Sequence, residues 1–417
     1  MSTEFFKVNG IQVANIHSDS EIALFGIAIE AGSNYETPEI AGISHFAEHM
    51  FFKGTEKRNW EQINREFAKL GVNNNAYTSN NEVFYHTTCP KDNIEPVIDL
   101  MLDMLFHSTI PAEELEKERG VIAEEKKMYD DDHRSAFQEA IGDNLIVWDK
   151  GHSVIGTFDT IANIKREQFI KFLADNTNFS TMLFICSGNV PSDKLKKYIA
   201  DRIPAEHPYL KTGSKGNISS ALWSKAISSP NKIKLTFERE NITQSNVSML
   251  GRALSANDNC NNDAAVLYRA IGGGMYSRLF SRIREELGLC YSTGMGAYAI
   301  SYPDAVISDV YAFLDPKNID LFMEEADKIL DDIIKNGISE DLFECAKVDY
   351  MAQVMRQTET SFGKASYMLR RYLSGQRGDV SERIARINDV KRETCNLLAE
   401  KLLTERNWAV MIPKEEK

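Results

Sequence analysis

The sequence predicts an α+β fold made of two tandem homologous α/β-sandwich domains, each a mostly antiparallel sheet covered by helices. Three observations predict it. Strand-like runs, IALFGIAIEAG (22–32), TMLFICSG (181–188), KIKLTF (232–237) and AVISDVYAFL (305–314), are separated by long helical patterns. That mixture points to helices packed on one face of an antiparallel sheet. The stretches PKDNIEPVIDLMLDMLFHSTIPAEEL (90–115) and PKNIDLFMEEADKILDDIIKNGISEDL (316–342) both open on Pro-Lys, run on as an amphipathic helix, break, and restart with acidic residues before Leu. Internal duplication is the simplest account of that likeness. Residues 206–231 are rich in Gly, Ser, Pro and Lys and have no long apolar period, so they read as a linker between domains 1–205 and 232–417.

Composition bounds the function. The chain has 417 residues, 43% hydrophobic and 26% charged, which fits a globular protein with ample core and excludes general disorder or a fibre. No apolar run approaches the roughly 18 residues of a membrane-spanning helix. The start, MSTEFFKVNGIQVAN, has no basic segment followed by an apolar one, so no secretory signal or transit peptide is read there. The six cysteines are scattered, as free thiols in a reducing compartment would be. The expected location is therefore cytoplasmic, with an organelle matrix after presequence removal as the alternative. A net charge of −13 argues against a nucleic-acid partner. Seven of the eight histidines fall in residues 1–205 and the eighth is His207. Any chemistry that needs imidazole belongs to the first half.

The chemistry concentrates in AGISHFAEHMFFKG (41–54). On a helix, His45 and His49 share a face and Glu48 stands beside them. Ile43, Phe46, Ala47, Met50 and Phe51 make the remaining surface apolar, as in a buried helix. Ionisable groups on such a helix are expensive unless they bind something. Two imidazoles one turn apart can both reach a tetrahedral zinc. By chance a His-x-x-acid-His pattern is expected only about 0.02 times in this composition. The competing reading is a pair of satisfied core histidines.

Two histidines leave a catalytic zinc site incomplete, because such a site takes three protein ligands and an open position. A second helix is predicted over PAEELEKERGVIAEEKKMY (111–129), with Pro111 suited to its first turn. Glu113, Glu116, Lys117, Gly120, Glu124 and Lys127 form one polar stripe, while Leu115, Glu118, Ile122, Glu125 and Tyr129 form another with apolar members. Periodicity therefore turns Glu118 and Glu125 inward and Glu124 outward. In the second copy, the position ten after Leu342 is Ala352, where the first copy has Glu125 ten after Leu115.

With these motifs in place the sequence resembles the pitrilysin, insulin-degrading enzyme and mitochondrial processing peptidase family of zinc peptidases, which carry the inverted H-x-x-E-H motif. The resemblance implies that His45, His49 and Glu125 hold one Zn²⁺ per chain, that Glu48 is the general base, and that Glu118 orients the site. NNNAYTSNNEVFYH (73–86) looks like the family segment that borders the metal, which implies that Asn75 and Ala76 bind substrate as an added strand. Read from residues alone, that stretch is a hairpin with an Asn-rich turn. GGGMYSRLFSRIREELGLCYS (272–292) looks like the second-domain signature, which implies that Arg284 and Tyr291 hold the substrate backbone and stabilise the oxyanion. FICSGNV (184–190) resembles the last strand of the family's first domain. Domain 1–205 is then the zinc-binding catalytic domain, and 232–417 is a homologous domain without metal ligands that contributes substrate-binding residues.

The resemblance further implies a zinc metalloendopeptidase acting on peptides or unfolded segments. Longer family members carry four such domains in two halves that close over substrate. This chain looks like one half, so a homodimer, or a heterodimer, is expected, with Arg284 and Tyr291 serving the facing subunit's metal. The alternatives are a presequence-type processing peptidase working with an inactive partner, and a noncatalytic subunit of such a complex. The presence of His45, Glu48, His49 and Glu125 together weighs against the last.

Overall fold

The computed structural model describes residues 2–145, 153–204, 234–301 and 305–414; the expected linker, 206–231, lies outside the described residues. The first sheet runs in the order β1 (Ser2–Val8), β2 (Ile11–His17), β6 (Met182–Gly188), β3 (Ile22–Ile29), β5 (Val83–Pro90), β4 (Asn73–Thr78). The second runs β7 (Lys234–Arg239), β11 (Asn407–Pro413), β8 (Ser245–Arg252), β10 (Ala305–Leu314), β9 (Cys290–Ser301). Within each sheet one pair is parallel, β2 with β6 and β7 with β11, and the other pairs are antiparallel. Apart from β1, the two sheets thread their strands in the same order.

The helices repeat as well. The first half carries α1 (Ile43–Met50), α2 (Trp60–Lys69), α3 (Ile94–His107), α4 (Ala112–Asp131), α5 (His133–Leu145), α6 (Phe158–Asn163), α7 (Arg166–Asn176) and α8 (Ser192–Ala200). The second carries α9 (Asn261–Gly272), α10 (Ile319–Asn336), α11 (Glu340–Gln357), α12 (Ser361–Leu373), α13 (Val380–Asn388) and α14 (Arg392–Leu403). Both Pro-Lys segments form a short 3₁₀ turn, Lys91–Asn93 and Pro316–Asn318, that leads into α3 and α10. The duplication legible in two stretches of sequence thus extends to the order of the five shared strands and to the paired helices α3–α4 and α10–α11.

The central strands are apolar on both faces: every residue of Met182–Gly188 is buried. One face of the first sheet, with Val13, Phe25, Ile27 and Phe184, packs against helices of its own half such as α3 and α1. The alternate residues, Ala14, Ile16, Leu24, Phe84, Leu183 and Ile185, pack against Ala365, Met368 and Leu369 of α12, which belongs to the second half. The exchange is reciprocal. Leu250, Ile307, Ala409 and Met411 of the second sheet pack against Phe137 and Ile141 of α5, from the first half. A sheet apolar on both faces needs two covers, and each half supplies the other's second one.

Each half therefore depends on the other for stability. Met368→Ala, in the second half, removes a buried side chain from the first sheet and lowers stability by about 2–5 kcal/mol. Hydrogen exchange will show faster opening of the β3 and β6 amides in this variant; unchanged protection there contradicts the exchange of covers.

Candidate metal centre

The site begins with how α1 starts. Gly42 has φ of +92°, and a Cβ at that position would lie 2.4 Å from the Ile155 carbonyl oxygen, so the turn accepts only glycine. Glu36 is 0% exposed and accepts hydrogen bonds from the backbone N–H of Gly42 and of Ser44, both at 2.7 Å. It thereby satisfies N–H groups that a helix start leaves unpaired, and its carboxylate meets the positive end of the helix dipole. Burial pushes the Glu36 carboxyl up to about 7, against the pull of these hydrogen bonds. Ile43, Phe46 and Met50 anchor α1 in the core. His45, at 9% exposed, and the half-buried Glu48 and His49 are left to meet α4.

Helix α4 divides into the two predicted stripes. Leu115, Glu118 and Ile122 are buried and Glu125 is half-buried, while Glu113, Glu116, Lys117, Gly120, Glu124 and Lys127 are exposed. Tyr129, assigned to the inner stripe, is largely exposed but lies beside Glu125.

The side chains of His45, His49 and Glu125 converge, one donor atom from each lying within 4.8 Å of the others. Glu125 Oε2 is 3.7 Å from His45 Nε2 and 3.3 Å from His49 Nε2. A charge-assisted N–H···O bond is shorter, about 2.7–2.9 Å. Ligands at about 2.0–2.2 Å around a tetrahedral zinc stand roughly 3.3–3.6 Å apart. The spacing thus matches the edges of a coordination tetrahedron better than a hydrogen-bonded cluster, and the N, N, O donor set suits zinc.

The surroundings orient these donors. His49 Nδ1 lies 2.9 Å from Glu118 Oε2, and Lys53 Nζ lies 2.6 Å from Glu118 Oε1. With its Nδ1–H donated to Glu118, His49 turns Nε2 toward Glu125. Burial works to raise the Glu118 pKa, but the His49 and Lys53 contacts hold it below the usual carboxylate range. Thr78 Oγ1 donates to Glu48 Oε2 at 2.5 Å. Burial raises the Glu48 pKa and the Thr78 bond opposes it. Burial, then the neighbouring His49, pushes His45 down to about 4, so its imidazole is neutral and ready to donate a lone pair. Burial works to lower His49, but Glu118 and Glu125 outweigh it and push it up to about 9.

Asn75 and Ala76 lie in β4, the last strand of the first sheet, paired with His86 and Tyr85 of β5. Asn75 is exposed, and its Oδ1 accepts from the Ala76 N–H at 2.9 Å. The hairpin reading holds, and it makes β4 a sheet edge packed against α1. Arg284 lies in a π-helical segment, Phe280–Glu286, and Tyr291 in β9, the last strand of the second sheet. The Arg284 guanidinium sits over the Tyr291 ring, 5.1 Å from its centre, and Tyr291 is 79% exposed. Among the described residues, neither forms a hydrogen bond or ion pair with the α1–α4 cluster.

Three neighbours escaped the sequence reading. Thr78 lies in the 73–86 stretch, two residues beyond Ala76, so its hydroxyl could have been named. Lys53 sits one turn beyond His49, in the same motif stretch. Glu36 carried no local signal, because its partners lie six and eight residues on across an irregular turn.

Family models fit both halves. Residues 12–151 match the insulinase family of peptidases, family M16, and residues 163–348 match the M16 inactive domain. The chain belongs to the M16 peptidase family. This M16 chain is 31% identical over 323 residues to a zinc protease of Rickettsia bellii, covering 76% of this chain and 74% of that protein. It is 29% identical over 407 residues to the zinc protease YmxG of Bacillus subtilis, covering 95% and 94%. In fold it is similar to a Helicobacter pylori protease, with a TM-score of 0.88 at 18% identity over 99% of both chains. It also matches the periplasmic protease PqqL of Escherichia coli, with a TM-score of 0.82 at 18% identity, over 98% of this chain but 47% of that one. Among the described residues no helix is long and apolar enough to cross a membrane.

The proton that Glu118 and Glu125 hold on His49 must leave before Nε2 can bind a metal. Zinc affinity of this M16 chain therefore rises by about tenfold per pH unit below pH 9, one proton per site. Competition titrations against a chelator at pH 6, 7 and 8 measure this. A flat affinity across that range contradicts the proposed coupling.

Proposed function

We propose that this chain is a zinc-dependent endopeptidase that hydrolyses peptides or unfolded segments inside a closed chamber formed by a dimer. The observation that carries this reading is the convergence of His45, His49 and Glu125, with the Glu48 carboxylate near enough to interact electrostatically with His49 and Glu125. Those three side chains would hold one Zn²⁺ per chain, which would supply Lewis acidity that brings the pKa of a water down from about 15.7 toward 7. Glu48 accepts the water's proton and later hands it to the leaving amine. Its raised pKa keeps the carboxyl able to give the proton back, and Thr78 holds its orientation. Glu118 keeps His49 in the binding tautomer.

Substrate binding falls to the sheet edge and the second half. An extended peptide added beside Asn75 and Ala76 continues the first sheet and is held by main-chain hydrogen bonds. Arg284 and Tyr291 hold the substrate backbone and stabilise the oxyanion. Their pairing with each other, and the exposure of Tyr291, support a role toward the facing subunit. The match to about half of a longer protease supports the same reading. The cysteines of the described residues are free, which supports a reducing, cytoplasmic setting.

Glu48→Gln lowers kcat on a quenched peptide about 10²–10⁴-fold while zinc content stays at one per chain. Mixing this variant with Tyr291→Phe restores activity, because each mixed dimer joins one intact Glu48 to the facing Tyr291. Normal turnover by Glu48→Gln contradicts the mechanism; absence of rescue in verified mixed dimers contradicts the shared site.

A further inference from the structure

In the first half, α1, β4 and α4 surround the metal-ligand cluster. Their counterparts by threading, α9, β9 and α11, surround a cavity of about 590 Å³ in the second half. The two places have opposite chemistry. Where α4 presents Glu125, α11 has Ala352 at the matching position. Five arginines line the cavity, Arg269, Arg370, Arg371, Arg383 and Arg386, with Tyr350 and Tyr367, against one carboxylate, Asp258.

Of these arginines, Arg269 is neutralised by Asp349. Among the described residues, no carboxylate forms an ion pair with Arg371, Arg383 or Arg386. Arg371 is 7% exposed; its Nη2 donates to the Arg377 carbonyl at 3.2 Å, and its Nε has no hydrogen-bond partner. Arg383 donates to the Tyr350 hydroxyl and lies over the Tyr350 and Tyr367 rings, 5.7 and 5.6 Å from their centres, and its Nε is also without a partner. Buried cations with unused donors are costly unless an anion meets them. The guanidinium fork matches carboxylate and phosphate oxygens. A volume of about 590 Å³ exceeds what one phosphate fills and falls in the range of small-molecule sites.

We propose that this cavity binds a multiply charged oxyanion, a condensed phosphate or a polycarboxylate, at the place where the first half carries its metal-ligand cluster. The site does not depend on peptidase activity. The test is isothermal titration of the full chain, stripped of metal and dialysed free of chelator, with pyrophosphate and separately with citrate. At least one probe binds at one site per chain, and salt weakens it. Binding weakens about tenfold or more in Arg383→Gln and in Arg386→Gln, and Glu125→Gln leaves it unchanged. Arg371→Lys, at the most buried position, is a further variant whose folding is checked by circular dichroism. Pyrophosphate binding alone marks the ligand as a phosphate, and citrate binding alone as a carboxylate. Binding of neither probe, equal affinity in wild type and both arginine-to-glutamine variants, or loss of binding in Glu125→Gln overturns the proposal.

Discussion

The structure turns on one electrostatic constraint: two imidazoles and a carboxylate are held close together on the apolar side of two helices, where unpaired charge is expensive. Each neighbour of the cluster answers part of that cost. Glu118, itself paired with Lys53, balances His49 from one side, and Glu125 faces both imidazole Nε2 atoms from the other. The resulting polarisation is uneven. His45 is driven neutral by burial while His49 is kept protonated by its carboxylates. A divalent cation held there would replace that single proton with a charge better matched to the surrounding acids.

The duplicated threading explains how one framework serves two ends. Both halves place a short helix, an edge strand and a long helix around the same spot. The first half fills it with imidazole and carboxylate, and the second with arginine and tyrosine. Because each sheet takes its second cover from the other half, through α5 and α12, the two halves fold as partners. That coupling lets the second half specialise without having to stand alone.

Much of this was legible in the residues. The spacing of His45 and His49 fixed a shared helix face, and the two stripes of α4 separated Glu118 and Glu125 from Glu124 without any structure. The four strand-like runs became β3, β6, β7 and β10, with Lys232 and Ile233 of the third outside the described residues. What escaped depended on distant pairing. The amphipathic pattern of α12 says that it covers something apolar, but not that the surface belongs to the other half's sheet. Glu36 reaches a helix start across an irregular turn, which no periodicity reports. Arg371 and Arg383 look like surface charge until their burial, their partnerless Nε atoms and their missing acidic partners are seen together.

The most direct test of the central claim is anomalous diffraction at the zinc edge from crystals of the protein grown with equimolar zinc. The account predicts one strong peak per chain, within about 2.0–2.2 Å of His45 Nε2, His49 Nε2 and a Glu125 carboxylate oxygen. A peak bound to other residues, or a Glu125 side chain turned away from a metal held by the two histidines, would contradict it.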